Sequence, residues 1–457
     1  MSEPIISVSG LRGIVGESLT PLVAASYVGA FAGVLGPGPV VVSRDGRPSG
    51  RMLAAVVSGA LAACGRDVWY ADLAATPTLG VLVQTLGAAG GIQISASHNP
   101  PPYNGLKLFR RDGRVLPAAD GQPVLEAYRR LRASGPSAEA GPWVAADRLG
   151  GITTLADTVS AHLGRVLATV DVEAIRARRF RVLLDSNAGA GSVLGRRLLA
   201  ALGCEAIVLG GEPHGRFLHP PEPTAENLRG VSAQVMAAGA AIGFCQDPDA
   251  DRLAIIDERG RYIGEEYTVA LCAEHVLTQR RGPVVTNCAT SRMTEDIAGR
   301  AGVPFARSAV GEANVVDRML ATGAVFGGEG NGGPIDPRVV LVRDSFVGMA
   351  LVLDAMARRG VPVSELAAGL PRYEIVKRTV KLPPEQLAAT CAALAERWPE
   401  ARLDRQDGLR LDWPDRWLIV RGSNTEPIAR IIAEAPTQAA AEELVVRAMK
   451  VAEAAAS

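Results

Sequence analysis

The chain has 457 residues, 48% hydrophobic and 21% charged, a globular balance too long for one ordinary core, so roughly three or more domains are expected. Basic and acidic residues cancel at 48 each, which removes any general pull toward nucleic acid or anionic lipid and leaves anion binding to local sites. Aromatic residues are only 4%, too few for a base-stacking platform.

The N-terminus Met1-Ser2-Glu3-Pro4 carries no basic or apolar leader pattern. The weakly polar run Leu22–Leu35 is broken by Ser26, Tyr27, Gly29 and Gly33 and is too short to span a bilayer. A cytoplasmic protein is expected, with neither membrane nor nucleic acid as partner. Cys64, Cys204, Cys245, Cys272, Cys288 and Cys391 stand singly, with no CxxC pair for zinc or redox work, and read as buried thiols.

Apolar strand-like runs alternate with Ala/Leu-rich helical runs. The first are strand Val40–Ser43, helix Arg51–Cys64, and strands Val68–Ala71 and Ile92–Ile94. The rhythm returns in strand Arg181–Asp185, helix Ser192–Leu202 and strand Ala206–Leu209, and again in strand Pro283–Asn287 and helix Met293–Ala301. Continuous apolar strands followed by helices predict parallel sheets covered on both faces, with ligands at loops leaving the strands' carboxyl ends. Residues 133–142, rich in Ala, Ser, Gly and Pro, read as a linker. Past Leu370–Pro371 the pattern becomes α+β: a strand, helix Pro384–Arg397, two strands around Arg410–Arg421 and a last helix Gln438–Ala455. The expected units are 1–150, 151–257, 258–370 and 371–457, and the three α/β segments could share a topology.

Four loops carry chemistry. Ser95-Ala96-Ser97-His98-Asn99-Pro100 follows a strand, where Ser97 is aimed outward as a nucleophile or phosphoryl carrier, and Lys107 lies just downstream. In Asp247-Pro248-Asp249-Ala250-Asp251-Arg252, alternating aspartates set three carboxylates on one side of a tight loop, a hard-cation site. Glu258 falls where a calcium EF-hand has its last ligand, but Arg252 stands at the position that needs glycine and both flanks read as strands, so Mg²⁺ at a hairpin-like loop fits better. Gly327-Gly328-Glu329-Gly330-Asn331-Gly332-Gly333 lets backbone approach a ligand while Glu329 and Asn331 hydrogen-bond hydroxyls. Arg421-Gly422-Ser423-Asn424-Thr425-Glu426-Pro427, followed by Arg430, offers guanidiniums and neutral donors for a phosphate dianion. Gly10-Leu11-Arg12-Gly13 adds another Gly-flanked arginine.

These loops in this order resemble the α-D-phosphohexomutase superfamily, which includes phosphoglucomutase, phosphomannomutase and phosphoglucosamine mutase, and the similarity covers essentially the whole chain. The resemblance implies three α/β domains with mixed or parallel sheets plus a C-terminal α+β domain around a central cleft. It implies phosphoserine at Ser97, and one Mg²⁺ on Asp247, Asp249, Asp251 and a phosphoserine oxygen. Arg12, His98, Lys107 and Arg252 would line the reacting centre. Glu329 and Asn331 would hold sugar hydroxyls, and Arg421, Ser423, Asn424, Thr425 and Arg430 the non-reacting phosphate. The expected reaction interconverts hexose 1- and 6-phosphates through a bound hexose 1,6-bisphosphate, with a phosphosugar as the partner and a monomer or homodimer as the assembly. Lys107 is the expected proton-transfer partner, because an arginine rarely releases its proton.

Two segments depart from the best-known members. The sugar loop ends Asn331-Gly332-Gly333 where many have Ser-Gly-His, and Val310-Gly311-Glu312-Ala313-Asn314 lacks a histidine often found there. Both variants resemble a branch common among archaea, assigned as phosphoglucosamine mutase or a broad phosphogluco/phosphomannomutase, and the glucosamine reading is slightly preferred. A phosphotransferase using Asp247 as nucleophile, and a non-catalytic phosphosugar-binding regulator, are the rival classes.

Overall fold

The structure, a computed structural model, describes residues 4–7, 10–133, 142–422 and 428–456. The linker reading at 133–142 therefore falls almost entirely outside the described residues. None of the described helices is long and apolar enough to cross a membrane.

Four sheets organise the chain. The first runs Ile5–Ser7, Gly10–Ile14, Tyr103–Arg110, Gly90–Ile94, Val40–Arg44, Val68–Leu73 and Ile152–Thr154 in spatial order. Its last four strands are parallel, whereas Tyr103–Arg110 and Gly10–Ile14 are antiparallel additions, so the sheet is mixed where apolar strands alone had predicted a parallel one. The strand Ile152–Thr154 joins it beside Val68–Leu73, which carries the first unit past the boundary expected at residue 150. Helix Pro21–Val34 covers the sheet; Thr20 caps it by accepting from the Val23 N–H, and Pro21 opens it where no N–H is needed.

The second sheet orders Leu253–Asp257, Ile242–Gln246, Arg181–Asp185 and Glu205–Leu209; the third orders Gly333–Ile335, Phe326–Glu329, Val284–Asn287 and Phe305–Ser308. Both repeat the heart of the first: an antiparallel return strand, then the strand that feeds it, then two further parallel strands. The shared topology has a consequence for chemistry. In each unit one short loop joins the carboxyl end of a parallel strand to the return strand, and these three loops are the Ser97, Asp247 and Glu329 loops. A parallel strand's carboxyl end is where an α/β sheet leaves backbone groups and side chains free to meet a ligand.

The three units share one continuous core, in which Leu79, Leu184, Val269 and Phe346 all take part. A buried relay pins them together: His162 is hydrogen-bonded to Thr78 (2.9 Å) and to Asp344 (2.8 Å), and Asp344 caps helix Ser345–Arg359 by accepting from the Phe346 N–H. Such packing fixes the loops against one another to a fraction of the freedom separate domains would have. The fourth sheet is wholly antiparallel, in the order Glu374–Lys381, Ile428–Ala435, Trp417–Gly422, Leu409–Asp412 and Arg402–Asp404, with helices Pro384–Arg397 and Gln438–Ala456 packed on it. It meets the third unit through a small apolar cluster of Cys288, Trp417, Ile419 and Ile432 and through hydrogen bonds, among them the Arg292 N–H on Glu434 (3.0 Å) and Lys377 on Glu265 (2.9 Å).

Candidate active site

Ser97 sits at the end of Gly90–Ile94 with φ of 49°, a left-handed conformation costing a non-glycine residue about 1–2 kcal/mol. The turn is held by Arg47, only 1% exposed, whose guanidinium donates to the carbonyls of Ser97 (2.7 Å), Asn99 (2.6 Å), Pro100 (2.9 Å) and Tyr103 (3.0 Å). Beneath it Asp45 accepts from Arg47 Nε and from Ser95 Oγ, and Ser95 Oγ in turn accepts the Ser97 N–H. Arg47→Met is expected to leave Asp45 as a buried charge without its guanidinium, costing about 3–5 kcal/mol of stability. Arg47→Lys keeps the charge but has no planar fork for four carbonyls, and should slow phosphorylation of Ser97. Chemical denaturation and phosphate labelling of the two variants check these outcomes.

The Ser97 hydroxyl donates to Asp247 Oδ2 at 2.7 Å, so the first and second loops meet. Asp247, Asp249 and Asp251 are completely buried, with one oxygen of each within 4.8 Å of the others. Asp249 Oδ2 accepts from Thr76 Oγ1 and, at 3.4 Å, from Lys107; Asp251 Oδ2 accepts from Lys107 (2.9 Å) and Arg343 (2.6 Å). Among the described residues, Asp249 Oδ1 and Asp251 Oδ1 have no hydrogen-bond donor. A buried carboxylate oxygen without a partner costs on the order of 1–3 kcal/mol or more, and two of them beside Asp247 fit a hard divalent cation with oxygen ligands. Burial, reinforced by Asp249 and Asp251, raises the Asp247 carboxyl far above the usual range, while Asp251 is pulled below it, against its burial, by Arg343 and Lys107.

Burial disfavours the charged form of Lys107, but Asp251, Asp249 and Glu312 more than reverse this and hold it as a cation. These surroundings suit charge neutralisation. Around Ser97 stand three further groups. Arg12 donates to Asn99 Oδ1 at 2.7 Å, and burial lowers its pKa. His98 Nδ1 lies 3.2 Å from Ser97 Oγ, and burial beside Arg252 and Arg12 pushes the imidazole down to about 2, so it is neutral. Arg252 keeps a buried Nε without a partner, and Glu222, 3.9 Å from its Nη1, faces both it and His98.

The third loop is built around Glu329. Its Oε1 accepts from Asn287 (2.7 Å) and the Gly311 N–H (3.0 Å), and its Oε2 from Arg343 (2.9 Å). Asn331 Oδ1 is buried and unbonded. Glycine is required at 332, where φ is +83° and a Cβ would meet the Leu253 carbonyl at 2.4 Å; at 330 a Cβ would displace the Glu266 carboxylate, 1.8 Å away. In the fourth unit Arg421 is buried and donates to Asp407 at 2.8 Å, and Asp407 also accepts the Val310 N–H. Arg430 is exposed and lies directly opposite Arg421 across the sheet. Ser423, Asn424 and Thr425 lie outside the described residues.

The structure thus brings Ser97, His98, Arg12, Lys107, the three aspartates and, through Arg343, Glu329 into one connected cluster. Arg47, Thr76, Glu312 and Arg343 escaped the sequence reading. Arg47 had a legible signal, since Arg44-Asp45-Gly46-Arg47 is a charged turn at the carboxyl end of Val40–Arg44. Arg343 had a fainter one, a lone guanidinium ending the apolar run Val339–Val342.

Comparison with known proteins agrees with this architecture. Models for phosphoglucomutase/phosphomannomutase match in four pieces: alpha/beta/alpha domain I over residues 5–133, domain II over 160–260, domain III over 265–373 and the C-terminal domain over 377–451. A phosphoglucomutase/phosphomannomutase of Thermococcus kodakarensis is 37% identical over 443 residues, 95% of each chain. A probable phosphoglucosamine mutase of Methanopyrus kandleri is 34% identical over 440 residues, again 95% of each. The crystal structure of a phosphoglucomutase/phosphomannomutase family protein from Burkholderia thailandensis superposes with a TM-score of 0.84 at 26% identity, covering 99% of both chains. With one triad of buried aspartates facing one strained serine, and all four domains matched in order, this chain belongs to the phosphoglucomutase/phosphomannomutase family of phosphosugar mutases.

Proposed function

We propose that the protein interconverts hexose 1-phosphate and hexose 6-phosphate by two in-line transfers through Ser97. In the first, the bond between phosphorus and Ser97 Oγ breaks as one forms to a free sugar hydroxyl; the hydroxyl's proton leaves the sugar and Oγ regains one, giving a bound 1,6-bisphosphate. The intermediate turns over, the other ester's P–O bond breaks as one forms to Ser97 Oγ, and the serine gives up its proton while the departing sugar oxygen gains one. The observation that carries this reading is the 2.7 Å contact between Ser97 Oγ and a triad with two unpartnered carboxylate oxygens.

Phosphoryl transfer depends on positioning and charge neutralisation more than on covalent chemistry by the protein. Asp247, Asp249 and Asp251, with a phosphoserine oxygen, would hold one Mg²⁺, which supplies charge neutralisation for the group in transfer. Lys107 and Arg12 add positive charge from the chain itself, and neutral His98 orients the serine oxygen. Glu329 and Asn331 grip sugar hydroxyls. Arg421, held by Asp407, and Arg430 serve the phosphate that is not reacting. Because that subsite must accept either end of the sugar, the fourth domain has to accommodate two substrate orientations.

Glucosamine phosphate is the first substrate to assay, in line with the name of the Methanopyrus relative; broad action on glucose and mannose phosphates is the alternative that the Thermococcus name favours. Turnover of glucosamine, glucose and mannose 1-phosphates, measured side by side with catalytic 1,6-bisphosphate, tests both. Highest kcat/KM on glucosamine 1-phosphate supports the preferred reading, comparable values on the other two support the alternative, and no turnover of any of the three ends both.

A further inference from the structure

Gly333 and Glu329 are directly opposed on the two antiparallel strands that flank the sugar loop. Opposed residues present their side chains to the same face of a sheet, so a side chain at 333 would stand beside Glu329. The backbone at 333 does not demand glycine, since its φ is not positive. Arg343 does: a Cβ at 333 would lie 2.3 Å from Arg343 Cδ, 2.8 Å from its Cγ and 3.1 Å from its Cβ. The place a residue-333 side chain would take is filled by the stem of Arg343.

From that place the guanidinium reaches Glu329 Oε2 at 2.9 Å through Nη1 and Asp251 Oδ2 at 2.6 Å through Nη2. Glu312 braces the same residue, accepting the Arg343 N–H at 2.6 Å and facing its Nε at 3.7 Å. Among the described residues, Arg343 is the one cation paired with Glu329, whose other donors are neutral.

We propose that Gly333 and Arg343 act as one positioning device: the glycine vacates the place opposite Glu329 so that a single guanidinium ties the sugar-contact carboxylate to the cation-site carboxylate. Occupancy of the sugar loop is thereby coupled to affinity at the aspartate triad. A planar fork can hold two carboxylates at a fixed spacing, which an ammonium on a flexible stem cannot. The inference rests on the mutase reading above, and its test is built to fail separately from it.

The full-length protein would be compared with Arg343→Ala, Arg343→Lys, Gly333→Ala and the Gly333→Ala/Arg343→Ala double variant. Two quantities are read: kcat/KM on hexose 1-phosphate, and Mg²⁺ binding by calorimetry without turnover. Arg343→Ala is expected to lose on the order of 100-fold in kcat/KM, the cost of a small misplacement of reacting groups. It should also lose about 10–100-fold in Mg²⁺ affinity, as when a metal ligand's own partner is removed. Gly333→Ala should reproduce both losses by evicting the guanidinium, and the double variant should be no worse than Arg343→Ala, because the place is then empty. Arg343→Lys keeps a buried cation, so it controls for folding, and it should still lose about tenfold in Mg²⁺ affinity. Wild-type behaviour of Gly333→Ala on both readouts, or losses that multiply in the double variant, would overturn the device. Absence of turnover in the wild type would sink the mutase reading alone, since the Mg²⁺ titrations still report on the coupling.

Discussion

Replacing Ser97 by alanine is expected to lower mutase turnover on the order of 10⁵-fold or more, the scale of losing the nucleophile from a covalent mechanism. Two hydroxyls touch the aspartate triad, Ser97 Oγ on Asp247 and Thr76 Oγ1 on Asp249. Thr76 is wholly buried at the start of a packed helix, whereas Ser97 lies on a loop and is 4% exposed, which favours the serine as the group that meets a substrate. Folding and chemistry separate cleanly here. Ser97→Gly relieves the left-handed strain at φ 49°, about 1–2 kcal/mol, which roughly offsets the lost hydrogen bond to Asp247, so it should fold about as stably as the wild type, yet be as inactive as the alanine variant. Incubation of wild type with labelled hexose 1,6-bisphosphate should leave acid-stable phosphate on Ser97. A label that is lost to hydroxylamine would instead mark an acyl phosphate on Asp247, and turnover by Ser97→Ala at wild-type rate would remove the phosphoserine mechanism altogether.

How much of this could be read from sequence follows from how locally each feature is encoded. The Ser97, Asp247 and Glu329 loops were legible because each packs its chemistry into about six consecutive residues at a strand end, as in Ser97-His98-Asn99 or Asp247-Pro248-Asp249. Helix Pro384–Arg397 and strand Arg181–Asp185 were equally local and fall where their patterns put them. What escaped is long-range. Arg47 serves a loop some fifty positions away, and Arg343 joins Asp251 to Glu329 from a segment with no motif of its own. Glu312 registered only as a missing histidine, because nothing in Gly311-Glu312-Ala313 announces that its carboxylate braces Arg343. The edge strand Ile152–Thr154 left no apolar run, being exposed along its whole length, and only its pairing with Val68–Leu73 reveals that it belongs to the first unit. The carboxylate neighbours that hold Lys107 as a cation likewise come from other loops.

The triad leads to the second large effect: Asp249→Asn should raise the Mg²⁺ concentration for half-maximal activation by about 100-fold or more, at least the upper end of what losing a ligand's mere supporting partner costs. Asp249 is the member to change. Asp247 also receives the Ser97 hydroxyl and the Arg252 N–H, and Asp251 anchors both Lys107 and Arg343, so altering either disturbs more than the cation. Asparagine keeps the shape and an oxygen for the Thr76 hydroxyl while removing a carboxylate charge from beside Asp247 and Asp251; Lys107 loses its 3.4 Å partner there but keeps Asp251 at 2.9 Å. The metal-free variant should therefore be no less stable than metal-free wild type, and the deficit should appear only when cation is added. At a Mg²⁺ level 100 times the wild-type dissociation constant, ligand binding stabilises the native state by about 2.7 kcal/mol; a 100-fold weaker site leaves about 0.4 kcal/mol. Unfolding curves with and without Mg²⁺ read that difference directly, independent of turnover. If Asp249→Asn shows the same Mg²⁺-induced stabilisation and the same activation curve as wild type, the cation binds elsewhere, and the two unpartnered carboxylate oxygens beside Ser97 need another explanation.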